Sequence, residues 1–235
     1  MNKMHYSDIT IIYEDNHLLV VLKPQNVAVC PDETGDDNLL DLLKEYLVES
    51  RKKPGDAFLG LVHRLDRPTG GVMVFAKTSK SAQRLTESIQ DGTFEKKYYA
   101  ITVGVPRQNH AVLKNALYKN TEKNEVFCVP IATEGAKLAA LEYRQLSESE
   151  GLALLTIKLI TGRSHQARVQ LANIGTPIFG DLKYGNGKVT ISSNLALWAV
   201  ELRFPHPTTR EMMVFYIEPP EDELPWNLFS VPSII

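Results

Sequence analysis

Apolar positions along the chain recur with two periods. Residues 9–13 and 18–22 are β-rich apolar runs separated by Glu14-Asp15-Asn16-His17, which predicts a hairpin. Lys23-Pro24-Gln25-Asn26 ends the second run. Over residues 38–50 the period changes: Leu39, Leu42, Leu43, Tyr46 and Leu47 fall at helical spacing, with acids near the start. Residues 58–62 and 72–76 read as strands on either side of a loop, 63–71. Ser79 is expected to cap a helix with Ala82, Leu85 and Ile89 on one face and Gly92 at its end. Residues 98–103, 138–146, 152–160, 195–204 and 212–217 are further strand candidates. Ser164 is expected to cap a short helix that stops at Gly175, before Pro177. Strands and helices follow no βαβα rhythm. The expected class is therefore α+β, with a large, mostly antiparallel mixed sheet flanked by helices and loops. No stretch reads as a linker and no 20–50-residue repeat is present, so residues 1–235 are expected to form a single domain.

Composition narrows the function classes. Of 235 residues, 43% are apolar and 23% charged, and the formal charge is −2, which excludes a polycation. The longest apolar runs, such as 195–200, fall far short of the about 20 residues a membrane span needs. The start, Met1-Asn2-Lys3-Met4-His5-Tyr6-Ser7-Asp8, carries no apolar signal core. Cys30 and Cys128 form neither a disulfide framework nor a Cys-x-x-Cys pair, so a cytoplasmic location is expected. The histidines at 5, 17, 63, 110, 165 and 206 show no zinc-like clustering, so no metal is expected.

The small net charge hides a division. Residues 31–50 hold the acids Asp32, Glu33, Asp36, Asp37, Asp41, Glu45 and Glu49 against Lys44. Residues 61–104 hold Arg64, Arg67, Lys77, Lys80, Arg84, Lys96 and Lys97 against Asp66, Glu87, Asp91 and Glu95. Residues 161–190 hold Arg163, Arg168, Lys183 and Lys188 against Asp181. Positive charge gathered in part of a weakly acidic chain suits a polyanion at one face; ordinary surface scatter gives the same count.

Two segments carry candidate chemistry. Residues 61–71 read Leu-Val-His-Arg-Leu-Asp-Arg-Pro-Thr-Gly-Gly, a loop that delivers Asp66 among His63, Arg64 and Arg67. A carboxylate near fixed cations stays ionised at neutral pH and is a usable nucleophile or base. A surface loop held by an Asp–Arg ion pair has the same sequence. The loop is not a kinase catalytic loop, because Leu65 interrupts His-Arg-Asp and no Gly-x-Gly-x-x-Gly or Asp-Phe-Gly accompanies it. The second segment runs from Gly162-Arg163-Ser164-His165-Gln166-Ala167-Arg168 to Gly180-Asp181-Leu182-Lys183-Tyr184-Gly185. A helix here sets His165 and Arg168 on one face, beside an N-terminus suited to phosphate. A capped helix with solvated Arg and His is the plainer alternative.

Together these segments resemble the RluA-type pseudouridine synthases over nearly the whole chain. His63-Arg64-Leu65-Asp66 with Thr69-Gly70-Gly71 and Ala76-Lys77 is similar to the family's catalytic block. Lys96-Lys97-Tyr98-Tyr99-Ala100 with Gly104 is similar to its Lys-x-Tyr-x-Ala strand. Gly162 to Arg168, then Gly175-x-Pro177-Ile178-x-Gly180-Asp181 and Tyr184-Gly185, is similar to the third block. Leu195-Ala196-Leu197 with Phe204-x-His206-Pro207 resembles the closing strand. Asn26, Cys30, Gly70, Gln170 and Trp198 depart from common family choices. Asn26 replaces a frequent Gly, and Asn tolerates a left-handed turn. The N-terminal S4 RNA-binding domain of some relatives is not expected here.

The resemblance implies an isomerase that detaches uracil from ribose, turns it and rejoins it through carbon 5. It implies no cofactor. The expected partner is ribosomal or transfer RNA, with no DNA and no membrane, bound by a monomer. Asp66 is implied as the essential carboxylate, attacking ribose, attacking the base or removing a ribose proton. Tyr98 is implied to stack on the base and take the carbon-5 proton, and Arg168 to hold Asp66 ionised. Leu197 is implied as an apolar pocket wall. Arg64, Arg67, Arg163, His165 and Lys183 are implied phosphate or base contacts, with His63 alongside them. The acidic 31–50 segment is expected to lie away from these residues. The competing reading is an RNA-binding module of the same fold without turnover.

Overall fold

The computed structural model describes residues 4–51, 57–185, 187 and 194–231; Met1 to Lys3 and Lys188 lie outside that set. In chain order the strands are β1 (Thr10–Glu14), β2 (Leu18–Lys23), β3 (Gly60–Leu61), β4 (Gly70–Ala76), β5 (Glu95–Val103), β6 (His110–Asn120), β7 (Glu125–Val129), β8 (Lys137–Ser149), β9 (Leu152–Leu159), β10 (Leu197–Pro205) and β11 (Met212–Tyr216). The helices are α1 (Leu39–Arg51), α2 (Ser79–Gln90) and α3 (Gln166–Asn173). The α+β class and the dominance of antiparallel pairing agree with the sequence expectation. The chain divides into two compact units, Met1–Glu95 with Glu201–Ile217, and Lys96–Val200 with Glu218–Ile235.

In the first unit β2 lies between β1 and β4, and every residue of β4 is buried. A strand paired on both edges and covered on both faces reads as continuous apolar sequence, as 18–22 and 72–76 do. The core gathers Leu18, Val20, Val72, Val74, Leu85, Phe94, Leu202 and Phe204. Asp15 Oδ1 accepts the backbone N–H groups of His17 and Leu18 at 2.7 and 2.6 Å, which closes the expected β1–β2 turn. Helix α1 is capped by Asn38, whose Oδ1 accepts the Asp41 N–H at 3.1 Å. Helix α2 is capped by Thr78 rather than Ser79: the Thr78 Oγ1 accepts the Ser81 N–H at 3.1 Å. Ser79 sits one residue inside, where its hydroxyl is past the capping position. Residues 58–62 form only the two-residue strand β3.

The second unit has strand order β5-β9-β8-β6-β7. The β6–β7 hairpin was not expected from the sequence. Strand β6 alternates exposed with half-buried residues over most of its length, and Lys114 and Asn115 interrupt its apolar positions. The signal was in the turn: Asn124 takes a left-handed φ of 48° between the two runs. Helix α3 packs Val169 against Leu117, Val126, Ala139 and Tyr184. Its N-cap is His165, not Ser164. His165 is left-handed (φ 51°, ψ 21°) and makes no side-chain cap bond. Gly180 has φ +78°, and a Cβ there would stand 2.2 Å from the Asn194 carbonyl oxygen, so backbone packing itself demands glycine.

Candidate active site

The Asp66 loop belongs to the first unit and joins β3 to β4. Asp66 is half-buried, and its carbonyl accepts the Thr69 N–H at 2.9 Å. The loop is anchored from below by Lys23, the last residue of β2. The Lys23 side chain is fully buried, and its Nζ donates to the carbonyls of Pro24, Arg67 and Thr69 at 2.9, 3.0 and 2.7 Å. Burial lowers the Lys23 ammonium to about 7, while the Asp66 carboxylate pulls it up and Arg67 pulls it down. A protonated amine has three N–H donors and there are three acceptors here, so the charged form completes the set. Gln25 Nε2 adds a bond to the Pro68 carbonyl at 3.1 Å. Asn26 takes the left-handed φ expected of it, 63°. Sequence reasoning passed over Lys23. Its signal was a lysine closing an otherwise apolar strand.

The nitrogen-bearing side chains near Asp66 separate into three environments. His63 is buried beside the Phe94 ring, and its Nε2 accepts the Val74 N–H at 3.2 Å. Arg64 is exposed. The Arg67 guanidinium binds Asp32 at 2.9 and 3.0 Å, Asp36 at 2.7 Å and the Thr34 hydroxyl at 2.7 Å. Bonding to Asp36 and Asp32 raises the Arg67 pKa. The Thr34 hydroxyl foremost lowers Asp32, and Arg67 foremost lowers Asp36. The acidic segment was expected to lie away from this loop. Instead, two of its carboxylates dock on the residue next to Asp66, because a guanidinium fork recruits paired carboxylates.

The second unit holds the remaining candidates. Tyr98 is buried on β5 opposite Ile157 of β9, while Tyr99 pairs with Thr156 and points to the other face of the sheet. Burial lowers the neighbouring Lys96 ammonium. Leu197 is buried at the start of β10. Arg163 is exposed, with Nε donating to the Leu138 carbonyl at 3.0 Å. Lys183 is exposed, with Nζ donating to the Asn124 carbonyl at 2.9 Å. His165 Nδ1 lies 2.7 Å from the Tyr184 hydroxyl.

Two residues absent from the sequence-based candidate set organise this segment. Gln166 Oε1 accepts the Thr161 hydroxyl at 2.7 Å and the Arg163 N–H at 3.0 Å, and its Nε2 donates to Ala140 O at 2.9 Å. That latch sets the bend before α3. Asp181 receives a two-pronged bond from Arg168: Nε to Oδ2 at 2.8 Å and Nη2 to Oδ1 at 2.7 Å, both side chains being buried. The sequence had marked Asp181 only as part of a pattern.

Among the described residues no three His, Cys, Asp or Glu side chains gather as a metal site. Among the same residues no helix is long and apolar enough to cross a membrane. A half-buried carboxylate on an anchored loop can act as a nucleophile or base on a molecule brought to it.

A family model described as RNA pseudouridylate synthase matches residues 17–173. An uncharacterized RNA pseudouridine synthase of Aquifex aeolicus is 35% identical over 224 residues, covering 91% of this chain and 70% of that protein. Ribosomal large subunit pseudouridine synthase D of Zymomonas mobilis is 33% identical over 223 residues, covering 90% of this chain and 69% of that protein. The solved structure of human RNA pseudouridylate synthase domain containing 4 matches with a TM-score of 0.75 and 26% identity, covering 90% of this chain and 88% of that one.

Proposed function

Because the chain belongs to the RNA pseudouridylate synthase family, isomerases that act on RNA, we propose that Asp66 is the carboxylate on which its uridine isomerisation depends. The observation that carries this is the Asp66 loop itself. Asp66 is half-buried, and the buried Lys23 side chain holds the carbonyls of Arg67 and Thr69, the first and third residues after Asp66. Tyr98 stacks on the base and takes the carbon-5 proton. Arg168 supplies the guanidinium that keeps the carboxylate ionised and oriented. Leu197 offers apolar surface to the base. Arg64, Arg163, His165 and Lys183 contact phosphates or the everted nucleotide. His63, buried against Phe94, supports the loop.

Ribosomal RNA is the favoured substrate, supported by relatives named ribosomal large subunit pseudouridine synthase D. A uridine in folded RNA is everted before it meets Asp66, at a cost of roughly a few kcal/mol. Residues 1–235 act as one catalytic domain, supported by a relative that matches 91% of this chain in one stretch. Cytoplasmic action, which the free thiols Cys30 and Cys128 suit, and a monomeric state complete the reading.

Asp66→Asn tests the proposal. The variant is expected to fold and bind RNA as the wild type does and to form no pseudouridine, read by chemical mapping of RNA from cells carrying either version. Mapping wild-type against gene-deleted cells then gives the address, ribosomal or transfer RNA. Residual turnover in Asp66→Asn removes the assignment. Wild-type binding with no turnover selects the binding module instead.

A further inference from the structure

We propose that Asp181 is a positioning residue that fixes the plane and direction of the Arg168 guanidinium, with Tyr184 as the surface on which that guanidinium rests. The inference rests on the role given above to Arg168. Its basis is the geometry within the second unit.

Each Asp181 carboxylate oxygen is held. Oδ2 accepts Arg168 Nε at 2.8 Å. Oδ1 accepts Arg168 Nη2 at 2.7 Å and also the backbone N–H groups of Lys183 and Tyr184, each at 3.0 Å. The turn that supplies those N–H groups begins at Asp181, whose carbonyl accepts the Gly185 N–H at 2.8 Å. The residue before it, Gly180, leaves no room for a Cβ against Asn194. The carboxylate is therefore fixed by its own backbone turn.

The guanidinium is fixed in turn. Parallel bonds from Nε and Nη2 remove rotation about the Cδ–Nε bond and define which edge of the group faces away from Asp181. The Arg168 Cζ lies 5.2 Å from the centroid of the Tyr184 ring. The Tyr184 hydroxyl accepts the Val126 N–H at 2.9 Å and lies 2.7 Å from His165 Nδ1, so the ring is tied to β7 and to the cap of α3. Burying an ion pair sacrifices hydration, and apolar residues of similar volume often support a fold as well. A planar fork with one prescribed orientation is what the pair adds, and an arginine that steers a reacting carboxylate needs that orientation. The Gly180-Asp181 and Tyr184-Gly185 elements of the sequence pattern thereby acquire a shared task.

The test measures kcat, KM and RNA affinity for the wild type, Asp66→Asn, Asp181→Asn, Asp181→Glu, Arg168→Lys and the double variant Asp181→Asn/Arg168→Lys, with thermal melts as a check on folding. Asp181→Asn is expected to lose roughly 100-fold in kcat through misplacement of Arg168, with KM and RNA affinity within about threefold of wild type. Arg168→Lys, which keeps the charge and loses the fork, behaves alike. The double variant is expected to lose no more than the weaker of its two parents, because both act through one interaction; multiplied losses overturn the proposal. Where Asp181→Asn does not fold, Asp181→Glu decides: it keeps the charge, moves it by one methylene, and is expected to fold and still lose kcat. Wild-type kcat in a folded Asp181 variant, with Asp66→Asn inactive, overturns the positioning role alone. Turnover surviving in Asp66→Asn, or missing in the wild type, overturns the parent reading and this inference with it.

Discussion

Lys23 donates to the carbonyls of Pro24, Arg67 and Thr69 from a fully buried position, and its ammonium is lowered from 10.5 to about 7. Between those two values the unfolded chain binds a proton that the folded chain does not, so this group makes stability rise with pH. Urea melts from pH 7 to 10 are expected to show the wild type gaining on Lys23→Met by up to about 1.4 kcal/mol per pH unit; parallel curves remove the titration. His206 carries a second residue-level prediction. Its Nδ1 accepts the N–H groups of Thr208 and Thr209, so the Nε2 proton points to Asp15 at 2.8 Å. His206→Ala leaves these partners without it and is expected to cost about 1–3 kcal/mol in the same melts. Asp66, Tyr98 and Arg168 stand out as candidates in the sequence because the family-like motifs that carry them are local. Lys23 does not, since lysine is ordinarily exposed and only the packing of β2 puts it inside.

Elements were legible where their signal was continuous. The runs 18–22 and 72–76 became the central strands β2 and β4, and the leucine spacing of 38–50 became α1. The β6–β7 hairpin was hidden because the exposed positions of β6 dilute its apolar pattern. Caps slipped by one residue in both α2 and α3. Adjacent Thr78 and Ser79 are equally good by type, and backbone geometry chose Thr78. Thermal melts are expected to show Thr78→Ala costing about 1 kcal/mol and Ser79→Ala close to nothing; equal losses contradict the assignment. Gly180→Ala is expected to destabilise by at least 1–2 kcal/mol, roughly the left-handed penalty alone, since the added methyl also meets the Asn194 carbonyl.

Over the whole molecule, charge was readable as composition but not as arrangement. Arg67 belongs to a basic window by sequence, yet Asp32 and Asp36 neutralise it in place. Arg64 and Arg163 are exposed. Salt titrations of RNA binding are expected to lose about 0.7–0.9 of slope for Arg64→Ala or Arg163→Ala. Arg67→Ala is expected to leave the slope unchanged; a loss equal to the others contradicts its neutralisation.

The amino-acid order by itself determined the α+β class, the central strands, the first helix and the family, because each follows from short-range periodicity or local motifs. The tertiary structure alone decided which titratable groups are buried or paired: Lys23 under the Asp66 loop, Arg67 on two acids, Arg168 on Asp181. Such pairings join residues 13 to 46 positions apart, and no local pattern encodes the distance between side chains that meet only when the backbone closes around them.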